Sequence, residues 1–275
     1  VAVNGEKLKL GKTNIISHIQ SLDIKRGIHT RKTIFSVGGI QITISAERFL
    51  SMKRSNIMAL KYSVSANKDV SATLSTGIDT EIWDINGPHI KDTEINVNDN
   101  DSVFTGKTIQ NEIEIKVYEN VSGVEFKKSS NGLHCAVIEL GKDGTVTFKK
   151  ISGVYWGNGT AESEKDFNTA VNSGYDFLKD EHIKEWAKIW NYSDIEIAGD
   201  DEAQLALRYS IYHLNSIAPK RTDKCGIPAR GLSGQVYKGA SFWDTEMFML
   251  PFFQFTDKTV AENLLKYRIN TLPGA

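Results

Sequence analysis

Cysteine is scarce: two residues in 275, Cys135 and Cys225, lie far apart and outside any CxxC pairing. A disulfide framework and a zinc site are therefore not suggested, and the expected compartment is a reducing one, the cytoplasm. Charge of one sign is also lacking, because 33 Lys and Arg face 34 Asp and Glu for a formal charge of −1. That balance offers no footprint for nucleic acid and no basic block for an anionic membrane surface. No apolar run approaches the ~18–20 residues of a spanning helix. No charged-then-apolar leader opens the chain, although a start at Val1 rather than Met leaves a processed N-terminus open. Internal repeats and low-complexity tracts are missing too. What is present, 40% hydrophobic and 24% charged residues, is globular composition with chain enough for about two domains or one large one. The expected partner is a small molecule or another protein.

From Ile15 to about Ile151 the pattern is that of strands. Ile34–Val37, Gly38-Gly39 and Ile40–Ile44 form a hairpin signature, since paired glycines can take the positive φ of tight hairpin turns. Strands are also expected at Ile57–Val64, Ala72–Ile78, Thr93–Val97, Glu112–Val117, Leu133–Ile138 and Thr145–Phe148. In Glu112–Tyr118 the alternation puts Ile113, Ile115 and Val117 on one face and charged residues on the other. Many strands with turn signals between them and no helices predict an antiparallel β-sandwich.

After about Gly159 the period changes. Ala161–Trp190 holds a single glycine and no proline, and Phe167, Val171, Tyr175, Leu178, His182 and Trp186 recur at helical steps, predicting one helix or a helix pair. A second helix starts at a cap, Asp200 or Asp201, and carries Ala203, Leu207, Ile211, Leu214 and Ile217 until Pro219 ends it. A third runs from Asp257, a plausible cap, through Val260, Leu264 and Tyr267 to just before Pro273. The chain stops at Thr271–Ala275, directly after this amphipathic helix. So few helices are a poor partner set for such a sandwich, and a fragment of a larger protein is expected.

One segment carries chemistry. Gly231, Gly234 and Gly239 give a close-approach backbone, and Phe242, Trp243, Phe248, Phe252 and Phe253 come next with Asp244 and Glu246 among them. An indole face stacks on the C–H face of a sugar, and a carboxylate accepts from two neighbouring hydroxyls, so a Trp–Asp pair suits sugar binding. Spacing alone leaves open the alternative that the aromatics are core and the acids cap the next helix. The stretch is not a phosphate loop, lacking the GxxxxGK[ST] order.

The run Ala229–Ala275 resembles the opening of the catalytic domain of glycoside hydrolase family 65, whose members include maltose, kojibiose, nigerose and trehalose phosphorylases and some hydrolases. The resemblance lies in Phe-Trp-Asp-Thr-Glu at 242–246, Met-Leu-Pro-Phe-Phe at 249–253, Asn-Leu-Leu-Lys-Tyr-Arg at 263–268 and Leu272-Pro-Gly274. It continues upstream in Ser193–Ile197, Gly199–Gln204, Leu22–Ile28 and Glu47–Ser51. It implies a galactose-mutarotase-like supersandwich over 1–158, a helical linker over 159–195, and the first helices of an incomplete (α/α)6 barrel over 196–275. The family's usual first strands, before Val3–Glu6, are not found, and twelve barrel helices of about 11 residues do not fit in the residues after the linker.

The resemblance further implies an inverting α-glucoside phosphorylase, in which a carboxylic acid protonates the glycosidic oxygen while inorganic phosphate attacks the opposite face to give β-glucose 1-phosphate. The family's acid lies in a later segment, so no catalytic residue is assigned here and the fragment alone is expected to be inactive. Trp243 and Asp244 carry over as the glucosyl subsite, the indole as wall and the carboxylate as acceptor. Glu246 is a sugar contact or an anchor of its own loop, and Tyr237 is a further substrate-binding candidate with Lys238 beside it, either of which could be structural. Ala240 stands where many members have His. No cofactor beyond phosphate, no metal, no nucleic acid and no membrane are expected, and a homodimer is expected at full length. The alternatives are a hydrolase of the same family and a non-catalytic carbohydrate-binding or assembly module. His29, His89 and His134 lack partners at ligand spacing, His213 is a packed or solvated helix residue, and Trp186 and Trp190, one turn apart, are expected to be core.

Overall fold

In the computed structural model, which describes residues 1–274 apart from 82, 85, 86, 232–236 and 238, the glycine pair turns as expected. Gly38 and Gly39 sit at φ 56° and 76°, and Val37 pairs with Ile40 across them. The strands are β1 (Ala2–Val3), β2 (Glu6–Lys7), β3 (Ile15–Asp23), β4 (Ile28–Val37), β5 (Ile40–Leu50), β6 (Ile57–Ala66), β7 (Val70–Thr76), β8 (Trp83–Asp84) and β9 (Gly87–Pro88). They continue as β10 (Ile90–Val97), β11 (Asp101–Thr108), β12 (Glu114–Ser122), β13 (Lys127–Lys128), β14 (His134–Leu140) and β15 (Thr145–Trp156). The helices are α1 (Ser163–Ser193), α2 (Asp201–Ile217), α3 (Leu250–Thr256) and α4 (Lys258–Thr271). Two compact units result, Val1–Glu185 and Trp186–Ala275.

The first unit holds an eight-stranded sheet in the order β10-β11-β12-β15-β6-β5-β4-β3 and a five-stranded sheet in the order β13-β14-β7-β1-β2, with every pairing antiparallel. Ile42, Ile44, Val64 and Phe148 of the large sheet pack with Leu74, Ala136 and Ile138 of the small one, forming the expected sandwich core. The opposite face of the large sheet is also covered: Phe49, Ile57, Tyr118, Ile151 and Tyr155 meet Phe167, Ala170, Tyr175 and Leu178 of α1. Within β5, even-numbered Ile42 and Ile44 serve one core and odd-numbered Phe49 the other, as the two-residue period of a strand requires.

This double cover corrects the one-sided reading of Glu112–Tyr118. The strand begins at Glu114, after Glu112 at φ 52°, and Ile113 stays exposed. Tyr118, not the Ile113–Val117 stripe, supplies the helix-facing anchor and stacks on Phe167 at 5.2 Å. Strand β11 lies outside the expected set because its inward positions are Ser102, Phe104 and Gly106, a row with one large apolar residue.

The helical region from Ser163 is a pair, not one rod. Gly174 breaks it at φ 77°, ψ 162°, a conformation essentially restricted to glycine. In the second unit Trp186 is buried and stacks on Tyr212 at 4.8 Å and on Trp190 at 6.1 Å, as core. Asp200 caps α2 by accepting from the Ala203 N–H at 2.9 Å, and Asp257 caps α4 by accepting from Val260 at 3.2 Å. Ile227, Leu250, Phe253, Val260 and Leu264 form this unit's core. Among the described residues, no helix is long and apolar enough to cross a membrane.

Candidate functional site

The residues that the sequence singles out for sugar binding sit on a wide turn leading into α3. Thr245–Met249 form one π-helical turn, a geometry that recurs at functional sites, and Pro251 then fits the first turn of α3, where its missing N–H costs nothing. Thr245 anchors the turn to the core: it is buried, and its hydroxyl donates to the Ile227 carbonyl at 2.9 Å.

Trp243 and Asp244 precede that anchor. The indole is 65% exposed and leans on Phe248 with centroids 5.9 Å apart. Asp244 differs: its Oδ1 is buried and has no hydrogen-bond partner among the described residues. A buried acceptor left unpaired costs about 1–3 kcal/mol, and more when charged. The unpaired carboxylate oxygen, on the residue that follows the exposed Trp243 in sequence, keeps its capacity to accept from a hydroxyl donor.

Glu246 is spoken for. Its Oε1 accepts from Arg268 Nε at 2.7 Å and its Oε2 from Arg268 Nη2 at 2.8 Å, a two-pronged pair. Arg268 also donates to the carbonyls of Ser241 and Phe242. The Glu246 carboxylate holds the guanidinium above its ordinary pKa. Gly226 lets these segments meet: a Cβ there would lie 2.6 Å from Ser241 Oγ and 2.8 Å from Tyr267 Cε1.

Tyr237 stands beside this turn, edge-on to Phe242 at 5.4 Å, with the Arg230 guanidinium 5.9 Å from its ring centre. Lys238 lies outside the described residues. Ala240 donates its N–H to the Tyr237 carbonyl at 2.9 Å. Trp243, Asp244 and Glu246 thus share one turn, and Tyr237 joins it through Phe242. Sequence reading singled out neither Arg268 nor Thr245 for a role. Arg268 acts on a turn far upstream of its own helix, and only its place inside the 263–268 motif could have drawn attention to it.

Comparisons bear on the whole chain. Residues 1–189 match the profile of the glycosyl hydrolase family 65 N-terminal domain, and residues 208–275 match that of the family 65 central catalytic domain. Nigerose phosphorylase from Lachnoclostridium phytofermentans is 36% identical over 100% of this chain and 41% of its own length. 1,2-alpha-glucosylglycerol phosphorylase from Bacillus selenitireducens is 31% identical over 99% of this chain and 37% of its own, and kojibiose phosphorylase from Escherichia coli is 29% identical over 100% and 38%. A solved structure, a putative kojibiose phosphorylase from the human microbiome, superposes with a TM-score of 0.90 at 20% identity, covering 99% of this chain and 38% of that one, so the fold is shared. The chain spans about two-fifths of the length of these relatives. With both of its parts matched in order, the chain belongs to glycosyl hydrolase family 65.

Proposed function

We propose that the protein is an inverting α-glucoside phosphorylase and that this chain supplies part of its glucosyl subsite. In the reaction a carboxylic acid protonates the glycosidic oxygen as the bond from the anomeric carbon to that oxygen breaks. A phosphate oxygen bonds the anomeric carbon from the opposite face, giving β-glucose 1-phosphate and the free acceptor. Inorganic phosphate is the co-substrate, and no other cofactor takes part. The organisation that goes with this reading is a sandwich over 1–158, a helical linker over 159–195 and the opening of a catalytic barrel over 196–275, in a cytoplasmic homodimer at full length.

The observation that carries the reading is the buried Asp244 Oδ1, without a hydrogen-bond partner among the described residues, on the residue next in sequence to the exposed Trp243. A sugar hydroxyl satisfies the first and the sugar's C–H face covers the second. The relatives' names, phosphorylases of nigerose, kojibiose and glucosylglycerol, support an α-glucoside as substrate. Glu246 is not the acid of this reading, because both of its oxygens already accept from Arg268. The acid is placed outside residues 1–275.

The test is to incubate the full-length protein its gene encodes with nigerose, kojibiose, maltose and trehalose, with and without phosphate. Glucose 1-phosphate formed only with phosphate is the expected result. Glucose released equally well without phosphate moves the assignment to hydrolysis, and no turnover of any α-glucoside refutes it.

A further inference from the structure

We infer that Arg268 is a positioning residue of the glucosyl subsite, holding Trp243 and Asp244 in place without touching the sugar; this rests on the function proposed above. The acceptors of its guanidinium bracket the two sugar-binding residues in sequence. The carbonyls of Ser241 and Phe242 come immediately before Trp243, and the Glu246 carboxylate comes just after Asp244. One rigid, planar donor set on α4 therefore grips both ends of the segment. The Arg268 and Glu246 side chains are 33% and 31% exposed, so the pair is partly shielded from solvent.

A second, independent anchor makes the role one of placement. Thr245 is held to the Ile227 carbonyl from the core side, and that bond does not involve Arg268. Without the guanidinium the turn keeps its core contact and its π-helical start, while the stretch from Ser241 to Asp244 loses its outer restraint. The Trp243 carbonyl accepts from the Glu246 and Met247 N–H groups, but its indole is largely exposed and leans only on Phe248 among the described ring contacts. Hydrogen bonds from Asp244 to the sugar matter most when the ring distorts toward the transition state, so a loosened segment lowers kcat more than it raises KM. A lysine at this position offers a single point charge and cannot form the fork.

Arg268→Gln, Arg268→Lys and Glu246→Gln in the full-length protein test the inference. The readouts are kcat and KM on the α-glucoside that the wild type cleaves, and amide hydrogen exchange by mass spectrometry across residues 241–249. Arg268→Gln is expected to lower kcat about a hundredfold with KM changed by less than about fivefold. Arg268→Lys should restore only part of the loss, and exchange should quicken in 241–249 while the rest of the protein is unchanged. Kinetics within about threefold of wild type, or exchange rising across the whole 186–275 unit together, overturns the inference. If Arg268→Gln does not fold, Glu246→Gln decides: it keeps the shape and the backbone bonds, so a fall in kcat with exchange confined to 241–249 supports the role, and wild-type kinetics refutes it. A wild type inactive on every α-glucoside refutes the proposed function instead, and unchanged exchange in 241–249 then refutes the placement by Arg268 separately.

Discussion

The His182 ring stacks on Phe49 with centroids 4.7 Å apart and planes 28° apart, and backbone groups engage both of its nitrogens. The Met52 N–H donates to Nδ1 at 3.0 Å, so the proton resides on Nε2, which donates to the Gly27 carbonyl at 3.1 Å. This neutral tautomer explains how a histidine sits in the apolar stripe of α1 at 1% exposure. Burial holds its pKa below the ordinary 6.5, outweighing the bond to Gly27.

Stability should therefore depend on pH in one direction. The unfolded chain takes up a proton at His182 near pH 6.5, which the folded state resists, so this contribution is complete above that value and is lost as pH falls through the depressed folded pKa. Thermal midpoints should drop between about pH 7 and pH 5. His182→Phe should flatten that drop while lowering stability at neutral pH by about 1–3 kcal/mol, because two backbone groups lose their partner. Identical slopes in the two proteins would refute it.

Asp244→Asn and Trp243→Ala should both cut kcat/KM on the α-glucoside while leaving circular dichroism unchanged. Removing the charged acceptor is expected to cost about 1.5–3 kcal/mol, roughly ten- to a hundredfold. Loss of the indole wall should raise KM as well. Steady-state kinetics checks both, and an Asp244→Asn enzyme of wild-type efficiency would remove this residue from the subsite.

Gly174→Ala should destabilise the first unit by about 1–3 kcal/mol, although a Cβ there meets no atom within 4 Å. The penalty is one of backbone, since φ 77° with ψ 162° is closed to alanine. Urea unfolding followed by circular dichroism measures it; a neutral substitution would mean that the two halves of α1 can rejoin without loss.

Lys150→Met should cost about 3 kcal/mol or more, since it strands a buried charge. Glu119 is 2% exposed, and its Oε2 accepts from Lys150 Nζ at 2.8 Å; its Oε1 has no hydrogen-bond partner among the described residues, with His134 Nε2 3.9 Å away. That histidine nitrogen is engaged with the Ser102 hydroxyl at 2.6 Å. Adding Glu119→Gln to Lys150→Met should recover much of the loss, measured as unfolding midpoints of the single and double variants. Additive losses would contradict the pairing.

The helix caps offer a local check. Asp200→Ala and Asp257→Ala should each lower stability by about 1 kcal/mol, read from denaturant midpoints. Asp201→Ala should do less, since Asp200 is the residue that accepts from Ala203.

Those caps were legible because capping involves residues three apart, and so was the Gly38-Gly39 turn; the break at Gly174 was not, since a lone glycine in a helical pattern left one helix or a pair equally open. Strand β11 was not, since Ser102 and Gly106 hide its inward face and only the neighbouring strands reveal it. The grouping of Trp243, Asp244 and Glu246 was readable from their adjacency and from the family motif. The occupation of Glu246 was not: adjacency left sugar contact and loop anchoring open, and the partner that occupies it comes from another helix.

By itself the sequence determined the order of the architecture, strands then helices, because side-chain periods of 2 and 3.6 are properties of neighbouring residues. It determined the family as well, through motifs spread over both parts of the chain. Only the tertiary structure decided which face of each strand meets the second sheet and which meets α1, which carboxylate oxygen stays unpaired at Asp244, and that Arg268 takes up both oxygens of Glu246. Burial and pairing depend on residues distant in the chain, and local pattern carries no record of them.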